Sequence, residues 1–251
     1  MGGKTITLSI VSHSQQELVQ LLLDDLEEYC SHSINVILTI NTKEAITFNQ
    51  KKYSFPIHII QNIIPKGFGA NHNHAFIFCN TSYFCVANPD IRINSNPFIS
   101  LIAEIEKYSA ALIAPMVLNP NGAIEDSVRK YPTLISIIRK LVSPKIVSDY
   151  QKDKLIVNPD WVGGMFMLFK SKQFKLSGGF DERYFMYYED VDLCRSLYVS
   201  GNSIIYSPST FVIHSARRSS HNNIRYLIWH LKSMLRFFTK WTFMRLFKNN
   251  S

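Results

Sequence analysis

Tyr83-Phe84-Cys85-Val86-Ala87-Asn88-Pro89-Asp90 is an almost unbroken apolar run that ends in a polar turn. Five apolar residues without alternation read as a strand covered on both faces, which is what a parallel sheet under helices requires. Similar short runs occupy residues 5–11, 36–40, 58–61 and 111–117. An amphipathic helix pattern follows Ser12-His13-Ser14-Gln15 and runs to about residue 29, and another covers residues 94–108. This alternation predicts an α/β fold, a mostly parallel sheet covered by helices, with ligands at the carboxyl ends of the strands. The polar residues just past the strands therefore matter most: Ser12 and His13, Asn41, Asn62 and Asp90.

The bulk composition bounds the rest. A chain of 251 residues with 46% hydrophobic content buries one large core, so one domain with at most a small appendage is expected. Cys30, Cys79, Cys85 and Cys194 show no Cys-x-x-Cys spacing and sit mostly in apolar runs, as packed thiols in a reducing cytosol do. The first residues run into a strand pattern with no apolar signal region, and no stretch approaches the ~20 apolar residues that span a bilayer. The net charge of +8 is unevenly placed, since nine Lys or Arg and no acid follow Asp192. Such a tail suits an anionic surface, either phospholipid headgroups or nucleic acid.

Several motifs carry chemistry. Asp90, directly after a buried strand, stands where a single carboxylate holds Mg²⁺ or Mn²⁺ against substrate phosphates, although a turn aspartate after Pro89 reads the same way. Pro65-Lys66-Gly67-Phe68-Gly69-Ala70-Asn71-His72-Asn73-His74 sets two glycines at a helix start, which suits either phosphate approach or a tight turn. Residues 122–159 show no strand period and read as a loop with a helix near 134–141. Trp161-Val162-Gly163-Gly164 offers a ring to stack on a sugar and a glycine pair for close approach; a core tryptophan fits equally. Gly178 to Arg195 contains an aromatic run, Phe185-Met186-Tyr187-Tyr188, and then Glu189, Asp190 and Asp192 where a helix begins. Those acids suit a helix N-terminus, and a carboxylate beside such a wall also has its pKa raised towards the range of a general base. His214 ends a later strand pattern, and Arg217-Arg218 beyond it suit phosphate.

Residues 223–247 read as a long basic amphipathic helix. Ile224, Leu227, Ile228, Leu231, Leu235 and Phe238 mark an apolar stripe, and Arg225, Lys232, Arg236 and Lys240 a basic one. Contact with a membrane surface is expected; packing on the domain is the other reading. Nucleic-acid binding is disfavoured, because the aromatics follow an apolar stripe rather than a base-stacking motif.

Taken in order, Asn88-Pro89-Asp90-Ile91, Trp161-Val162-Gly163-Gly164, Gly178-Gly179-Phe180-Asp181-Glu182, Glu189-Asp190-Val191-Asp192-Leu193-Cys194-Arg195 and His214 resemble the family 2 glycosyltransferases, in particular the bacterial rhamnosyltransferase-like branch that builds O-antigens and other cell-surface glycans. The resemblance spans roughly residues 5–218. It implies a GT-A catalytic domain over 1–218, a Rossmann-like α/β sandwich for nucleotide-diphosphosugars, followed by the amphipathic helix of 219–251.

The resemblance further implies metal-dependent, inverting transfer of a sugar from a nucleotide-sugar donor, with dTDP-L-rhamnose as an instance, to a lipid-linked saccharide acceptor. It makes Asp190 the general base with Glu189 beside it, and Asp90 and His214 the holders of Mg²⁺ or Mn²⁺. Ser12, Asn41, Gly67, Gly69 and Asn73 then fall along the nucleoside, with Asn88 and Arg217 also on the nucleotide side. Trp161, Gly163, Gly164 and Asp192 fall near the donor or acceptor sugar. The implied location is the cytoplasmic face of the membrane. The chain departs from the family pattern at Asn88 and Ile40, so a second reading is a nucleotide-sugar-binding scaffold with weak catalysis.

Overall fold

The structure is a computed structural model and describes residues 5–133, 135–136, 149–150, 156–215 and 224–248. Arg217 and most of the helix expected over 134–141 lie outside these residues.

An eight-stranded sheet forms the body, in the order β3-β2-β1-β4-β9-β6-β10-β5. Its strands are β1 (Ile6–Ser12), β2 (Ile34–Ile40), β3 (Ile57–Gln61), β4 (Tyr83–Ala87), β5 (Ile91–Arg92), β6 (Leu112–Leu118), β9 (Phe166–Lys170) and β10 (Ile204–His214). A separate hairpin pairs β7 (Val128–Arg129) with β8 (Trp161–Val162). β1 to β4 pair in parallel, as their apolar runs predict. The sheet as a whole is mixed, however, because β9 enters antiparallel between β4 and β6, and β5 is antiparallel to β10. Apolarity reports burial on both faces but carries no strand direction, so the reversal at β9 left no trace in the run Met165 to Phe169. The residues 204–206 and 211–213, read as two short strands, are one strand whose register shifts between Ser207 and Phe211.

The period of two divides the strands between two cores. Ile6, Leu8, Ile10, Cys85, Ala87, Phe166 and Leu168 lie in the larger one. It is closed by α1 (Gln16–Cys30), through Val19, Leu22, Leu23 and Leu26, and by α3 (Phe98–Lys107), through Phe98, Leu101 and Ile105. These are the i, i+3, i+4 positions of one helix face. On the other face Phe84, Val86, Met167 and Phe169 pack with Phe174 and Phe180 and with Leu193, Cys194 and Leu197. Phe174 lies on α4 (Ser171–Leu176), and the last three on α5 (Glu189–Val199). Helix α2 (Phe68–Phe76) covers β1 on that same side, where Ser9 Oγ and His72 Nδ1 are 2.8 Å apart.

Two features bring polar groups to the strand ends. β2 and β3 lie to one side of β1 and β4 to the other, so the chain turns outward in opposite directions at this point, and a crevice forms above Ser12 and Ala87. Asp25 of α1 then receives the Arg92 guanidinium at 2.6 Å twice and the Ile93 amide at 3.0 Å, tying down the strand that follows Asp90. All four cysteines are free.

The C-terminal helix α6 (Ile224–Lys248) is not an outlying appendage. Its Phe237 and Trp241 are buried with Tyr184, Tyr188 and Val191 in a third cluster.

Phe174 has ring centroids 4.7, 5.0 and 4.9 Å from those of Phe76, Phe84 and Phe169. Phe174→Ala is expected to lower the unfolding free energy by about 3–5 kcal/mol, read as a lower urea midpoint with an unchanged m-value.

Candidate active site

Asp190 is held at the first turn of α5 by two backbone donors. Its Oδ2 accepts from Gly164 N at 3.0 Å and its Oδ1 from Val191 N at 2.8 Å. Loss of solvent raises its pKa, while these amides and the charge of Arg129 pull the other way. Glu189, only 6% exposed, has a buried Oε2 without a hydrogen-bond partner. Burial and then the neighbouring Asp190 charge push its pKa well above the usual carboxylate range. Asp190 has the better hydrogen-bond donors of the two, so burial weighs more heavily on Glu189.

The turn that delivers Asp190 is strained. Tyr187 and Tyr188 have φ of 70° and 67°, a region that costs an aromatic residue about 1–3 kcal/mol. Helix α6 holds it: Ser233 Oγ donates to Met186 O at 2.8 Å, His230 packs on both tyrosine rings, and Phe237 packs on Tyr188.

Across the crevice Asn88 N donates to Met165 O at 2.9 Å, which sets the end of β4 beside Gly164 and so beside Asp190. Asp90 follows, with Oδ1 buried and lacking a hydrogen bond, 3.4 Å from His214 Nε2. On the far side of the imidazole, Nδ1 lies 2.9 Å from Glu125 Oε2. Burial by itself would lower the His214 pKa, but the facing Asp90 carboxylate and the Glu125 contact outweigh it and raise it to about 8. This is a place where the protein stabilises positive charge. With the Nδ1 proton assigned to the Glu125 contact, Nε2 and Asp90 Oδ1 form a two-ligand edge that fits a divalent cation, oriented from behind by a carboxylate. Among the described residues no three His, Cys, Asp or Glu side chains converge as a complete metal site.

The residues expected along the nucleoside are brought together at the ends of β1, β2 and β3, but several are spent on structure. Ser12 Oγ donates to Glu44 Oε1 at 2.9 Å and accepts from Gln15 N. Asn41 accepts from Lys66 N at 2.8 Å and donates to Lys66 O at 3.0 Å, so it shapes the loop before α2. Asn62 bridges Asn41 and Asn71 in the same network.

The glycine loop packs closely against the segment that precedes α5. A Cβ on Gly67 would lie 2.5 Å from the Phe185 carbonyl, and one on Gly69 2.5 Å from Phe180 Cβ. Both glycines permit α2 to pack against the 180–185 segment. Asn73 likewise clamps Phe180, donating to its carbonyl at 2.8 Å and accepting from its amide at 2.9 Å. Its amide is thereby committed and not free for a nucleoside.

On the sugar side, Gly163 N donates to Ser127 O at 2.8 Å, and Gly164 carries the amide that holds Asp190. Trp161 is half-buried, donates from Nε1 to Lys130 O, and lies under the Arg129 guanidinium at 5.7 Å. Asp192, expected to face a sugar, is 1% exposed and fully engaged. Lys240 Nζ reaches its Oδ2 at 2.6 Å, while Trp241 Nε1 and Tyr184 Oη reach Oδ1 at 2.8 and 3.2 Å. Two positions after Asp190, it lies on another side of α5, where it anchors α6.

Sequence reading missed Glu44, Asn71, Glu125 and Arg129. Glu125 and Arg129 sit in the segment without a strand period, and only the β7–β8 hairpin brings Arg129 over Trp161. Asn71 alone had a local signal, four residues after Gly67, whose carbonyl it caps at 3.0 Å.

No protein-family model matches the chain. It is 28% identical over 251 residues to the rhamnosyltransferase WbbL of Escherichia coli (strain K12), covering 94% of this chain and 93% of that one. It is 31% identical over 159 residues to an N-acetylglucosaminyl-diphospho-decaprenol L-rhamnosyltransferase of Mycobacterium tuberculosis, covering 59% of this chain and 52% of the relative. The chain thus spans about half the length of that relative. Among solved structures, GalNAc-T7 with UDP, GalNAc and Mn²⁺ superposes with a TM-score of 0.68 at 12% identity, over 93% of this chain and 47% of the other. The mannosyltransferase PcManGT from Pyrobaculum calidifontis, in complex with GDP-Man and Mn²⁺, gives 0.62 at 12% identity, over 92% and 64%. At those identities the likeness to the structures is one of fold.

Lys240→Met would leave Asp192 buried without its cation, and a loss of about 3 kcal/mol is expected. Adding Asp192→Asn should recover part of it, because no unpaired charge remains; a double-mutant cycle in urea measures the coupling.

Proposed function

We propose that the chain, which has the GT-A fold and is similar to rhamnosyltransferases, catalyses inverting transfer of a sugar from a nucleotide diphosphate carrier to a lipid-linked saccharide, in the assembly of a cell-surface glycan such as an O-antigen. The observation that carries this reading is the pair of opposed acidic groups: Asp190, held by two amides with its pKa raised, and Asp90 with His214 across the crevice.

In this reading Asp190 takes the proton from the acceptor hydroxyl as that oxygen bonds to the anomeric carbon, and the bond from that carbon to the diphosphate oxygen breaks, the electron pair leaving with the diphosphate. A carboxylate with a raised pKa is a better base for this than an ordinary one. Asp90 and His214 would hold Mg²⁺ or Mn²⁺, which when bound supplies positive charge at the departing diphosphate. The charge of Arg129 favours the ionised form of the base, and its guanidinium lies over Trp161, where a sugar face can stack. The relatives named for rhamnose transfer, one of them acting on a decaprenol diphosphate, support dTDP-L-rhamnose as donor and a lipid-linked acceptor. Peripheral attachment to the cytoplasmic face of the membrane follows from such an acceptor. Among the described residues no helix is long and apolar enough to cross a membrane.

A screen of nucleotide sugars by nucleoside diphosphate release, with and without Mg²⁺ or Mn²⁺, tests the donor. Asp190→Asn is expected to lower kcat by roughly 10²–10⁴-fold while donor affinity is retained. Unchanged turnover would show that the base is another group.

The pH profile follows from the raised Asp190 pKa. The base works only when deprotonated, so kcat/KM should fall with decreasing pH, with a limb above the ordinary value of 3.8. Arg129→Gln removes a charge that lowers this pKa, so the limb should move to higher pH; a steady-state pH series reads both.

A further inference from the structure

Helix α6 has two apolar faces, and the fold uses one. Its inner face carries Ser233, Phe237 and Trp241 onto the segment that presents Asp190. On the other side Ile224, Leu227, Ile228, Leu231 and Leu235 follow the i, i+3, i+4 spacing of a single stripe, yet remain 43% to 72% exposed. A contiguous stripe of this kind marks an interaction surface rather than scattered surface leucines. Along its edge run Lys232 and Arg236, and α6 contains no Asp or Glu.

Between α6 and the turn at Arg183 lies a shallow groove of about 770 Å³. Arg183, Lys232, Arg236 and Lys240 line it, together with Leu235 and Phe243. Arg183 and Lys240 already pair with Asp181, at 2.5 and 3.2 Å, and Lys240 with Asp192. Lys232 and Arg236 add positive charge with no acid on their own helix to balance it. Basic groups beside exposed hydrocarbon match the chemistry of a phosphate joined to an acyl chain.

We propose that α6 docks on an anionic phospholipid bilayer, with its outer stripe at the acyl boundary and a lipid phosphate in the groove at Lys232 and Arg236. A second copy of the chain is the poorer occupant, since packing stripe on stripe would bring two basic, acid-free helices together. Nucleic acid would leave the aliphatic stripe uncovered. The proposal deepens the lipid-linked acceptor reading and rests on it for its purpose, but it is measured without sugar transfer, so either can fail alone. Lys240 joins the groove to the Asp192 anchor, two residues from the base, so the docked face and the catalytic turn are built on the same helix.

Flotation of the full chain with phosphatidylcholine vesicles, with and without phosphatidylglycerol, tests it. Binding is expected only to the anionic vesicles and should weaken as salt is raised. Lys232→Gln with Arg236→Gln should weaken it roughly thirtyfold, about fivefold per charge, and Leu231→Asp should also reduce it. The pair Lys51→Gln and Lys107→Gln, elsewhere on the surface, should leave binding unchanged. All variants should keep the parent unfolding midpoint and nucleoside diphosphate release with soluble substrates. The proposal is overturned by equal binding to neutral vesicles or by binding indifferent to Lys232 and Arg236. Phosphate ion bound in the groove without vesicle binding, a dimer dissolved by Leu231→Asp, or retention on duplex DNA in place of vesicles would overturn it as well.

Discussion

The buried carboxylate of Asp192 is the contact on which the catalytic side of this protein depends. Lys240, Trp241 and Tyr184 converge on it from two elements far apart in the chain. An ionised group taken this far out of water is tolerable only when paired and hydrogen-bonded. Meeting that requirement fixes α6 against the start of α5. Once α6 is fixed, His230, Ser233 and Phe237 can hold Tyr187 and Tyr188 in their left-handed conformation. That turn in turn presents Asp190 to the Gly164 amide. Base, turn, anchor and C-terminal helix form one mechanical chain.

The opposite wall of the crevice follows a different logic. The Asp25–Arg92 pair fastens the strand after Asp90 to α1, and Glu125 fixes the imidazole of His214. The sheet brings the two walls together, since Asn88 bonds to Met165 one residue from Gly164. The antiparallel entry of β9 is therefore what sets the end of β4 beside Gly164 and Asp190. A wholly parallel sheet would not bring the loop preceding β9 to the carboxyl end of β4.

Much of the fold was legible because burial leaves a local trace. The run Tyr83–Ala87 and the leucines of α1 announce their faces through periods of 2 and 3.6. The acids at the start of α5 announced a helix N-terminus, and Asp190 there accepts from the amide of the next residue, Val191. Other residues carry two readings that only distant neighbours separate. Gly67, Gly69 and Asn73 have the composition of a phosphate loop, but the same features serve close helix packing, and only the position of Phe180 and Phe185, over a hundred residues on, distinguishes the two. Glu125 and Arg129 left no local sign, since a charge in a loop acquires meaning only from what it faces.

By itself the sequence determined which segments are buried, where helices begin, the order of the acidic motifs and the acid-free character of the C-terminal helix, all of which are set by neighbours a few residues apart. Only the tertiary structure decided the direction of β9, the assignment of Asp192 to an anchor and Asp190 to the crevice, and which face of α6 is spent on the domain. Those are choices between partners distant in the chain, made by the demand that each buried charge and hydrogen-bonding group be satisfied, and a linear pattern does not record who satisfies whom.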